Sequence, residues 1–141
     1  MKLDDYYKNP EQYPNVFYLN DDPVAAAKLH CDKSLRYAIV WACQILSTVW
    51  HVSGAEICTM DWDASVSKFM FGELSCLRGQ IGSQRIYNLR YTDHPAVTWA
   101  ALYGGNYDWL YRLGTALLEE YTLRFDRIHA CLPVMRTLEL M

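Results

Sequence analysis

Residues 106–129 read NYDWLYRLGTALLEEYTLRFDRIH. Tyr107, Leu110, Gly114, Leu117, Leu118, Tyr121, Phe125 and Ile128 recur at steps of three and four, which stacks them on one face of a helix. Asp108, Arg112, Thr115, Glu119, Thr122 and Asp126 fall on the opposite, polar face. Gly104-Gly105-Asn106 supplies a break with Asn106 as N-cap, and Pro133 follows the end. The spacing predicts one amphipathic helix from Asn106 to about Ile128.

A second long helix is predicted from Pro23 to about His51. Asp21-Asp22-Pro23 is a strong start, because a capping carboxylate satisfies orphan amides and Pro at the first position lacks one. From Leu35 onward the pattern is apolar nearly all round, which places this helix centrally. His30, Lys33, Ser34, Tyr37, Trp41, Gln44, Thr48 and His51 form a hydrogen-bonding stripe along it. Such a stripe on a central helix must meet water, a partner's polar groups or a cavity. The expected fold is mainly α: a compact helical domain with these two helices packed together and a short extended N-terminal segment.

The bulk numbers agree. A chain of 141 residues is one domain by size, 1–141, and 52% hydrophobic with 21% charged residues is a globular composition. Residues 1–15 read as an arm. Val16 to Leu19 reads as a short strand or extended segment, and residues 54–93 as an irregular insert or lid punctuated by Gly72, Gly79 and Gly82. Within that insert, Asp61-Trp62-Asp63 is a candidate cap for a short helix through Phe71, and Tyr87 to Tyr91 a strand or a helical turn. Asp93-His94-Pro95 opens another helix to about Tyr103, and a last short helix follows Pro133 with Val134, Met135 and Leu138 inward.

Net charge −3 disfavours general duplex-DNA binding, which rests on phosphate neutralisation. Five cysteines with no C-x-x-C pair read as reduced thiols of a cytosolic protein. The polar, acidic N-terminus does not resemble a signal peptide. The most apolar run, Tyr37 to Trp50, is about 14 residues and too short to span a bilayer, so no membrane is implied.

Aromatic residues make up 14% of the chain, and these line pockets as well as cores. If the long helices pack together, His30, Lys33, Glu120 and Arg124 converge with Tyr37, Trp41, Asn106 and Trp109. Arg and Lys would suit phosphate and the aromatic rings a base. The plainer reading makes Glu120–Arg124 an ordinary i,i+4 surface pair and His30 a satisfied helix histidine. Lys68, Arg78, Arg85 and Arg90 form a basic cluster that reads chiefly as solvated loop. No H-E-x-x-H, G-x-S-x-G or Cys/His pattern occurs, so no catalytic residue, metal site or cofactor is assigned.

FYLNDDPVAAAKLHCDK at 17–33, QILST at 44–48, His94-Pro95, NYDWLYRLGTALLEEYTLRF at 106–125 and His129 together resemble a group of small uncharacterised proteins of tailed phages. The resemblance covers about half the chain; residues 54–90 fall outside it. In that group a His stands at the position of Ser34 and a Glu at that of Trp41; if those are catalytic there, the resemblance implies a pocket kept and its chemistry lost. It also implies a phage protein acting in the host cytoplasm. Two functions follow as expectations. One is a pocket for a nucleotide or nucleobase-like ligand, with the protein binding it or acting on it. The other is a non-enzymatic protein that inhibits a host factor or assembles as a homo-oligomer.

Overall fold

The computed structural model describes residues 16, 18–52, 57–59, 74–77, 85–87 and 92–139. Their structure is mainly helical: α1 (Pro23–Lys28), α2 (Asp32–Val52), α3 (Pro95–Leu102), α4 (Gly104–Phe125) and α5 (Leu132–Glu139). Three short strands, β1 (Ile57–Thr59), β2 (Leu74–Leu77) and β3 (Arg85–Tyr87), form an antiparallel sheet in the order β1-β2-β3. Cys58 pairs with Cys76 and Ser75 with Ile86 in its register. The N-terminal arm, the Asp61-Trp62-Asp63 cap, and Lys68, Arg78 and Arg90 lie outside the described residues. Of the two readings for Val16 to Leu19, a strand or an extended segment, no strand is formed at Val16, Tyr18 or Leu19.

Asp22 caps α1 by accepting the Ala25 amide at 3.2 Å, with Pro23 next, as the local sequence predicts. Asp21 instead accepts the Tyr18 hydroxyl at 2.8 Å.

The first long helix is broken. It stops at Lys28, passes through Leu29, His30 and Cys31, and restarts at Asp32. No Gly or Pro stands there to announce the break. Its cause is tertiary: the Arg124 guanidinium reaches the carbonyls of Lys28 and His30, which an unbroken helix would use internally. Ser34 then returns its hydroxyl to the Cys31 carbonyl at 3.2 Å at the start of α2.

α2 is the central element. Every residue from Ala38 to Val49 is buried. It packs antiparallel to α4, as three contacts along the pair show: Arg36 over the Phe125 ring, Ala42 against Gly114, and Trp50 Nε1 donating to the Tyr107 hydroxyl at 2.8 Å. A Cβ at Gly114 would lie 3.5 Å from Ala42 Cβ and collide with the tip of Met135, so this glycine permits the close crossing of α2, α4 and α5. Tyr87 on β3 donates its amide to Ser47 at 3.1 Å and accepts His51 Nε2 at 2.8 Å, docking the sheet on α2.

The second long helix also differs at its ends. It starts at Gly104, so Asn106 lies inside it and donates to the Trp99 carbonyl at 2.8 Å, closing off the end of α3. It stops at Phe125, because Asp126 turns left-handed at φ 52° and gives its amide to Thr122 at 2.9 Å. Ile128 is therefore exposed, not part of the buried face. Leu110, Gly114, Leu117 and Leu118 are buried as the periodicity predicts, while Tyr121 is half-buried against Phe125 and His129. α3 begins with His94 as N-cap, and α5 starts one residue before Pro133, with Val134, Met135 and Leu138 inward.

Candidate functional site

The eight residues expected to share one pocket fall into separate groups. His30, Glu120 and Arg124 do converge, at the α1–α2 junction. Arg124 Nε donates to Glu120 at 2.9 Å, Nη1 to the His30 carbonyl at 2.6 Å and to Asp32 at 3.2 Å, and Nη2 to the Lys28 carbonyl at 3.1 Å. A guanidinium has five N–H donors, so four are engaged. The fork is committed to backbone and carboxylates. His30 is buried, and Ser34, whose proton points to the Cys31 carbonyl, accepts its Nδ1–H at 2.9 Å. Burial, then the nearby Arg124 charge, pushes the His30 pKa down.

Asn106 and Trp109 sit near the other end of α4, 18 and 15 residues from Arg124, about 27 and 22 Å along the helix. There Trp109 donates to the Asp21 carbonyl at 2.8 Å, stacks on Tyr18 at 4.8 Å and meets Trp99 edge-on at 6.0 Å. Tyr37 and Trp41 stack on each other at 5.9 Å along α2, with Trp41 buried. Lys33 is exposed on the first turn of α2.

A cleft of about 550 Å³ lies elsewhere, between α4, α5 and the turn joining them. Leu118, Leu132 and Met135 line it with apolar surface, and Tyr111, Thr115 and Thr122 add hydroxyls from α4. Glu119 on α4 and Arg136 and Glu139 on α5 contribute charge; Leu123 and Ile128 also line it, 79% and 73% exposed. Thr115, Glu119 and Thr122 belong to the face of the second long helix that looks solvent-facing in sequence. Sequence pattern misses their role because α5 folds back beside that face, a return fixed by Met135 against Gly114 and by Tyr107 donating to the Leu138 carbonyl at 3.3 Å.

His129 closes one end of the cleft. Its Nδ1 accepts the Cys131 amide at 3.0 Å and its ring stands edge-on to Tyr121 at 4.9 Å. Behind the wall lie two buried thiols: burial pushes Cys43 up, while the Cys43 hydrogen bond and the Tyr87 hydroxyl, 3.3 Å away, draw Cys131 down.

Among the described residues no three His, Cys, Asp or Glu side chains gather as a metal site requires, and no helix is long and apolar enough to cross a membrane. Comparison with protein families, curated proteins and solved structures yields no match to this chain.

Proposed function

We propose that this protein binds a nucleobase-like ligand, free or as a nucleotide, in the α4–α5 cleft, and does so as a phage protein in the host cytoplasm. The phage setting rests on the N- and C-terminal motifs. The cleft itself carries the binding reading. Its volume of about 550 Å³ falls in the range of small-molecule sites, roughly 300–1,000 Å³. Apolar side chains cover its floor and a few hydrogen-bonding and charged groups stand around it, the pattern that lets a flat ring bury its faces while its edges are read.

A thermal-shift series with bases, nucleosides and nucleotides tests this. A ligand bound only by the folded state raises the melting temperature, by about 2.7 kcal/mol of stabilisation at a hundredfold excess over Kd. Thr115→Trp, which fills the cleft, abolishes that shift, whereas Arg112→Ala, whose ion pair with Asp108 lies outside the cleft, leaves it. A shift that survives Thr115→Trp places the ligand elsewhere. Silence from the whole series refutes the reading.

A second reading has its own observation. Leu123 and Ile128 expose large apolar surface beside the cleft, as a surface that docks a host protein or a second copy does. Leu123→Glu then abolishes self-association in light scattering or capture of the host factor, and a monomer indifferent to the substitution speaks against it.

A further inference from the structure

Resting on the cleft reading above, we infer that the cleft selects a guanine-type ring and excludes its phosphorylated forms. The argument starts from which charges in the cleft are already committed. Among the described residues, ion pairs take up Asp108, Arg112, Asp32, Glu120 and Arg124, and neither Glu119 nor Arg136. These two stand on opposite walls, Glu119 on α4 and Arg136 on α5.

A carboxylate is acceptor-only and takes two parallel N–H donors. A guanidinium is donor-only and takes two adjacent acceptors. Guanine carries both complements on different edges: N1–H and the 2-amino group on one, O6 and N7 on the other. Adenine fits neither wall as well. Its N1 would aim a lone pair at the carboxylate, and its 6-amino group would aim a donor at the guanidinium. The ring faces would rest on Leu118 and Met135, whose thioether suits an aromatic neighbour.

The same groups oppose phosphate. Two carboxylates, Glu119 and Glu139, share the cleft with one guanidinium, Arg136. The Tyr111 hydroxyl hydrogen-bonds the Glu139 carboxylate. The cleft's carboxylates thus outnumber its guanidinium by one, on a chain that is itself at −3. A dianionic phosphate entering this cleft meets two carboxylates against the single guanidinium of Arg136.

Calorimetry at low salt with guanosine, adenosine and guanosine 5′-monophosphate decides the matter, on wild type, Glu119→Gln and Arg136→Gln, each checked for unchanged thermal stability. The expected order is guanosine tighter than either competitor by about tenfold or more, one mismatched bidentate contact being enough for that. Glu119→Gln and Arg136→Gln each weaken guanosine by about tenfold or more. In Glu119→Gln the gap between guanosine and its monophosphate narrows, since one carboxylate is gone. Adenosine bound as well as guanosine, the monophosphate bound as well or better, or guanosine affinity untouched in either variant overturns the inference while leaving the cleft a binding site. Binding of none of the three at millimolar concentration overturns the inference together with the cleft reading.

Discussion

Arg124→Ala tests the one tertiary contact that breaks an otherwise continuous helix. The wild-type guanidinium side chain is 21% exposed and that of Glu120 is 15% exposed, so this is a half-desolvated cluster, whereas Asp32 at 68% contributes as a surface partner. Hydrogen bonds from a charged donor contribute about 1.5–3 kcal/mol each, and Arg124 gives two to carbonyls that cannot find helical partners. The Asp32 contact adds at most about 1 kcal/mol. Removing the guanidinium also strands the Glu120 carboxylate. Water reaches the exposed Lys28 end and recovers part of the loss. The expected cost is about 3–5 kcal/mol, a large share of the roughly 5–15 kcal/mol that holds a domain of this kind together.

Urea titration measures the total. Two further variants locate it. In Arg124→Lys a single ammonium cannot span Glu120, His30 and Lys28 at once, so about half the loss remains. In an Arg124→Ala background, Glu120→Gln costs less than it does alone, with a coupling of about 1 kcal/mol or more, because the stranded charge is gone. Hydrogen exchange at the Leu29 and His30 amides, which close the end of α1 on Ala25, Ala26 and Ala27, should quicken before exchange in α2 does. A loss below about 1 kcal/mol on Arg124→Ala, with unchanged exchange at the junction, refutes the clamp.

Leu117→Ala should cost about 2–5 kcal/mol by urea titration, since Leu117 is fully buried where α4 meets the core; a loss near zero would be incompatible with that packing. Asp22→Ala should cost about 1 kcal/mol and Asp21→Ala less, because only Asp22 accepts an α1 amide; the reverse order would move the helix start. Asp126→Gly should stabilise by about 1 kcal/mol, as it relieves a left-handed residue and removes a negative charge from the C-terminus of α4; a destabilised variant would mean the Asp126 side chain is needed. His30 binds its proton less readily folded than unfolded, so stability is full above the usual pKa of 6.5 and declines as pH falls below it. His30→Gln should flatten that slope in melts between about pH 5 and 8, and an equally steep slope in the variant would assign the effect to another group.

The parts of the fold that are legible in sequence are the locally encoded ones. Leu110, Gly114, Leu117 and Leu118 mark the buried side of α4 through their spacing, and Asp22-Pro23 marks the start of α1, because period and cap each involve residues within a turn. The unbroken apolar run through α2 signals its central place for the same reason. What fails is what depends on a residue far along the chain. The α1–α2 break is made by Arg124, 94 residues beyond His30. The three strands are three or four residues long, too short to show an alternation. Ile128 continues the apolar rhythm of α4, yet the helix has already ended at Asp126.

Glu119 and Glu120 show why the candidate site is harder to read than the fold. They are neighbours in sequence, and a helix turns them about 100° apart. Glu120 faces the α1–α2 junction and is taken by Arg124; Glu119 faces α5 and lines the cleft. In sequence Glu120 attracts attention, because an Arg four residues on makes a recognisable pair at the edge of an apolar face. That same pairing uses up its capacity to recognise anything else. A charged group ready to bind a ligand is one that folding brings to a wall without giving it a partner, and no local pattern records that state. It depends on where α5 returns, which is set by Gly114 admitting Met135 and by Tyr107 holding the Leu138 carbonyl. Widening Gly114 to Val should therefore shift α5 and impair ligand binding in the cleft, although the substitution touches neither Glu119 nor Arg136. A Gly114→Val protein that folds and binds guanosine with wild-type affinity would show that the α5 return does not shape the cleft.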